Sequence, residues 1–89
     1  MYLSAGRTCK ITFDHYNTSA LIFVCSSNKP LLVVYSNGYL GNVCETSDFT
    51  ATISSDYKTI SIKNNTSGGN GVVGVLQSGN MNFEMISAN

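Results

Sequence analysis

The feature that most limits this chain is short alternating apolar blocks, separated by turn residues at even intervals. In "FTATISSDYKTISIKN", Phe49, Ala51 and Ile53 alternate with Thr50, Thr52 and Ser54. Beyond the turn at Asp56-Tyr57, Ile60 and Ile62 alternate with Thr59, Ser61 and Lys63. A period of two puts each set on one face of a strand. An amphipathic helix needs apolar residues three and four apart, and no stretch shows that spacing with caps at its ends. Strands are predicted over residues 8–13, 20–25, 31–36, 39–45, 49–54, 58–63, 72–77 and 81–86. The fold expected is all-β: about eight short antiparallel strands in hairpins, forming a small β-sandwich. A flattened barrel and a jelly roll are the alternatives. A chain of 89 residues is expected to be a single β-domain, 1–89.

Turn chemistry gives registers. Asn37-Gly38 accepts the positive φ of a type I′ turn, whose twist suits the flanking strands. Pairing then sets Ser36 against Tyr39, Val34 against Gly41, Leu32 against Val43 and Leu31 against Cys44. A tight turn at Asp56-Tyr57 sets Ile53 against Ile60 and Ala51 against Ile62. Gly79-Asn80 suits a II′ turn and sets Leu76 against Phe83 in a third hairpin. Gly74, inside that hairpin, signals a bulge or a close backbone approach. A first hairpin across "DHYNTS" would oppose Ile11 to Phe23 and Cys9 to Cys25. A cross-strand disulfide is then conceivable, but buried free thiols are the preferred reading in a chain with no export signal. "NNTSGGNG" reads as a flexible loop with no side chain to pack.

"ALIFVCSSNKPLLVVY" breaks the alternation, because its two strands are apolar on both faces. Membrane insertion as a hairpin is disfavoured, since spanning strands are longer and belong to closed barrels. The chain's other segments offer little apolar side chain to cover a second face. A second subunit is the remaining cover. Leu21, Phe23, Leu32 and Val34 are the interface candidates, with Leu31, Val33 and Tyr35 given to the core. The sequence leaves these two sets exchangeable.

Charge excludes some partners. Lys and Arg total 5, Asp and Glu total 5, and the net charge is zero. The basic residues are scattered, whereas nucleic-acid binding rests on clustered ones. Zero net charge also removes the repulsion that keeps small proteins apart. Neither a signal peptide nor a transmembrane segment is expected, which suggests a virion or the cytoplasm of the producing cell.

No catalytic or cofactor constellation emerges. His15 is the single histidine, and "DHY" reads as a solvated turn. Cys9, His15, Cys25 and Cys44 contain no close-spaced pair of the kind structural zinc uses. No cofactor and no metal are expected. Loop tyrosines beside amides give carbohydrate-binding candidates: Tyr16 with Asn17, Tyr39 with Asn42, and Tyr57. The expected role is non-enzymatic: a structural or assembly protein, with a bacteriophage capsid-decoration or tail subunit as its concrete form. Its partners would be other protein subunits, as a homo-oligomer or larger assembly, without nucleic acid. The alternatives are a recognition module that binds carbohydrate or protein, and a small inhibitor of a host enzyme.

Overall fold

The alternating runs become strands, and the computed structural model describes residues 1–26, 29–78 and 82–88. The strands are β1 (Tyr2–Leu3), β2 (Thr8–Phe13), β3 (Ser19–Cys25), β4 (Leu31–Ser36), β5 (Tyr39–Cys44), β6 (Phe49–Ile53), β7 (Thr59–Asn64), β8 (Gly71–Ser78) and β9 (Phe83–Ala88). They build a two-sheet β-sandwich in which every pairing is antiparallel. The first sheet has the order β1-β8-β3-β4-β5, and the second β6-β7-β2-β9. Among the described residues no helix occurs, and so none is long and apolar enough to cross a membrane.

The core lies between the sheets. The first sheet sends in Ile22, Val24, Leu31, Val33, Tyr35 and Val73, and the second Ile11, Phe13, Phe49, Ile60 and Ile62. Each such aliphatic or phenylalanine side chain gives about 1.5–3 kcal/mol relative to exposure. Phe13 of β2 and Tyr35 of β4 stack across the gap, with centroids 4.8 Å apart and planes 4° apart. Phe83 leans on Phe13 from β9 at 5.8 Å.

Two hairpins match the turn chemistry. Asn37 and Gly38 have φ of 47° and 81°, the positive pair of a I′ turn. Ser36 faces Tyr39 and Val34 faces Gly41 as expected. The ladder then slips between Val33 and Leu32, so Leu32 faces Cys44 and not Val43. The extra residue is a bulge, which also breaks up an edge strand. In the second hairpin Ile53 faces Ile60 and Ala51 faces Ile62.

The other two hairpins are corrected. β2 and β3 lie in different sheets, so Ile11 faces Ile60 and Met85, while Phe23 faces Leu32 and Gly74. Cys9 and Cys25 are therefore not neighbours, and all three cysteines are free. Cys9 is buried as expected, but Cys25 is exposed. β8 and β9 also part into opposite sheets, where Leu76 faces Leu21 and Phe83 faces Phe13. The Gly79-Asn80 turn lies outside the described residues. Polar, turn-forming residues suit a crossover between sheets as well as a tight hairpin, so local chemistry did not separate the two.

The "NNTSGGNG" loop is also corrected, because it folds around Asn64, which is fully buried. The Asn64 amide nitrogen donates to the Leu3 carbonyl at 3.1 Å and the Gly69 carbonyl at 2.9 Å. Its amide oxygen accepts from the Thr66 N–H at 2.9 Å and hydroxyl at 2.7 Å. One side chain thereby ties β1, β7 and the loop together.

Candidate functional site

The outward face of the first sheet can be read row by row from the strand registers. Its central row runs Leu76, Leu21, Val34, Gly41, and the next Gly74, Phe23, Leu32, Cys44. Val72 continues it between Tyr2 and Cys25. The row Ser78, Ser19, Ser36, Tyr39 closes one end, with the Ser19 and Ser36 hydroxyls 3.2 Å apart. None of these residues is charged. Leu21 is 42% exposed, Val72 49% and Leu76 63%. Phe23 is half-buried because its ring lies over Gly74, where an added Cβ would sit 2.2 Å from Phe23 Cζ. The close approach expected at Gly74 is thus a ring cover. A hollow of ≈ 320 Å³ opens among Leu21, Val34, Leu76 and Gln77.

The second sheet shows the opposite outer surface. Lys10 sits among Ser61, Thr52 and Ile86, Lys63 beside Thr8 and Thr50, and Glu84 beside Thr12. The two faces of one sandwich therefore differ in kind: one charged and polar, one apolar and uncharged. All four interface candidates, Leu21, Phe23, Leu32 and Val34, point outward on the uncharged face, while Leu31, Val33 and Tyr35 are buried in the core. The parity left open by the sequence is thereby fixed. Sequence reasoning missed that β8 belongs to the same face. Its signal was present in "GVVGVL", which also fails to alternate.

A second feature lies at one end of the sandwich. Tyr16 and Tyr57 come from two separate connections and Tyr39 from the start of β5, and they line a cleft of ≈ 420 Å³ with Asn37 and Gly38. Their exposures are 44%, 71% and 55%. Hydrogen bonds lock the connections together: the Asn37 N–H donates to the Thr18 carbonyl at 3.0 Å, and the Phe13 N–H to the Lys58 carbonyl at 2.9 Å. Gly38 leaves bare space that the tyrosines fill, since a Cβ there would stand 3.1 Å from Tyr57 Cβ and 3.9 Å from Tyr16 Cβ. His15 stacks on Tyr16 at 4.8 Å, and its Nδ1 accepts the Asn17 N–H at 3.0 Å. Asn17 is exposed in the same loop. Asn42 is not part of this group and lies beside Leu31, Glu45 and Phe49.

Tyr57 has φ of 64°, a left-handed conformation that is a genuine outlier for a bulky residue. Such a residue costs about 1–3 kcal/mol and persists only when its surroundings hold it. Three contacts do so. The Tyr57 N–H donates to the Ser54 carbonyl at 3.0 Å. Its carbonyl accepts the hydroxyl of buried Tyr35. Beside it, Asp56 Oδ1 accepts the Ser54 hydroxyl and the Lys58 N–H. These bonds, the Ser54 one first, hold the Asp56 carboxyl below its ordinary value. Burial, followed by the nearby Asp56 charge, pushes the Tyr35 phenol up.

Among the described residues no group of three or more His, Cys, Asp or Glu is placed to hold a metal ion. Compared with known proteins, the chain matches no family model, no curated protein and no solved structure.

Proposed function

We propose that this chain is a non-enzymatic structural subunit that assembles with copies of itself through the outward face of its first sheet. The carrying observation is the contrast between the two faces: every charge within a strand lies on the second sheet's outer surface, none on the first's. A contiguous apolar patch beyond a few hundred Å² on a soluble protein marks an interaction site. Four strands about 4.8 Å apart and some 20 Å long present roughly 400 Å² in projection.

The occupant favoured is a second copy. A face with no charge of either sign has nothing to repel its own image, and the chain's zero net charge adds no long-range barrier. Two copies related by a twofold axis would stack these sheets about 10 Å apart, as sheets pack within a sandwich. The concrete role proposed is a bacteriophage virion component, of the capsid-decoration or tail kind, where small domains recur as many copies.

Leu21→Lys tests this reading. Leu21 is central in the patch, and a twofold dimer carries it twice. Losing two buried leucines removes about 3–6 kcal/mol, or roughly 10²–10⁴-fold in dissociation constant. Thr52→Lys, on the charged face, is the control and should change nothing. If both variants sediment like the native chain, the face is not the interface.

A further inference from the structure

We infer that the tyrosine cleft at the loop end is a binding site for a neutral carbohydrate. It adjoins one end of the assembly face, with which it shares Tyr39, and three observations carry it. The first is composition. Three exposed tyrosines, two from connections and one from the start of β5, line the cleft with Asn37 and Gly38. A pyranose ring offers a flat C–H face and a perimeter of hydroxyls. Aromatic rings suit the first, and amide and phenol groups suit the second.

The second observation is charge. No Lys or Arg lines the cleft, so a phosphate, a sulfated sugar or a nucleic acid would find no counter-charge there. No Asp or Glu lines it either, so a cation would find no carboxylate there. A neutral ligand rich in hydroxyls is the class that remains.

The third is the backbone of Tyr57. Its left-handed conformation would suit glycine or asparagine better than tyrosine. A tyrosine kept there, with its carbonyl fixed by a buried Tyr35 hydroxyl, is held for its ring.

A glycan array of neutral and anionic oligosaccharides, with a proline-rich decapeptide as a separate probe, tests the proposal. Its hits are then titrated by NMR. Binding of at least one neutral oligosaccharide is expected, with chemical-shift changes centred on Tyr16, Tyr39 and Tyr57. Tyr39→Ala should weaken it by about tenfold or more while leaving the melting temperature unchanged, because this ring is 71% exposed. Tyr57→Gly should weaken it comparably without loss of thermal stability, since glycine relaxes the positive φ. The proposal is overturned if no neutral glycan binds, or if only anionic glycans or the peptide bind. It is also overturned if both variants bind the glycan like the native chain.

Discussion

Replacing Tyr35 with phenylalanine removes one oxygen from the junction between core and cleft. The ring is fully buried and stacked on Phe13, and phenylalanine keeps that stack and leaves no cavity. What is lost is the hydroxyl's bond to the Tyr57 carbonyl. A typical intramolecular hydrogen bond contributes about 0.5–1.5 kcal/mol net. Tyr57 is 55% exposed, so water can reach the freed carbonyl and offset part of the desolvation penalty. The expected cost is about 1 kcal/mol, or roughly 4–8 °C in Tm for a domain of this size. Urea titration should show a lower midpoint with an unchanged m value. The variant should also differ from the native chain in alkali. The folded-state pKa of Tyr35 is raised, so its contribution is complete below the ordinary tyrosine value and is lost as pH rises toward the folded value. Tyr35→Phe removes that alkaline decline. A stability loss under about 0.3 kcal/mol, with the alkaline decline intact, would refute the idea that this hydroxyl holds Tyr57.

Three further outcomes are expected. Asn64→Ala removes the partners of the Leu3 carbonyl and the Thr66 N–H, leaves the Gly69 carbonyl with the Thr66 hydroxyl alone, and should cost on the order of 3 kcal/mol by urea titration; a loss below about 1 kcal/mol would mean that water replaces the amide. In dilute native protein, iodoacetamide should modify exposed Cys25 and Cys44 but not Cys9, whose thiol is pushed up by burial, and mass spectrometry should show the third adduct only after unfolding. Asp56→Asn should destabilise the chain near neutral pH. Because the folded-state pKa of Asp56 is lowered, the difference in Tm should shrink as pH falls below the ordinary carboxylate range and through that pKa; a gap independent of pH would show that charge is not involved.

Strand positions and most inward residues were legible because alternation is a local signal. Ile53, Ile60 and Ile62 declare their face within a few residues. Turn type was legible where it demands a special backbone, as at Asn37-Gly38. Sheet membership was not, because a connection such as "DHYNTS" satisfies its backbone equally well in a hairpin or in a crossover. The choice rests on distant partners, such as Ile60 for Ile11, that no local rule supplies. The bulge at Val43 had no marker either, since both registers place apolar residues on Leu32. At the cleft, the residue types were visible but their meeting was not. Tyr16, Tyr39 and Tyr57 converge only because two connections and the start of β5 share one end of the sandwich. The positive φ of Tyr57 ran against its own propensity, so sequence could not announce it.

Sedimentation equilibrium of the native chain across micromolar concentrations tests self-assembly most directly. The protomer has a mass of 9.5 kDa. Species of at least twice that mass are expected, dissociating to the protomer on dilution and suppressed by Leu21→Lys at the same concentrations. A single species at the protomer mass throughout would contradict assembly through the first sheet.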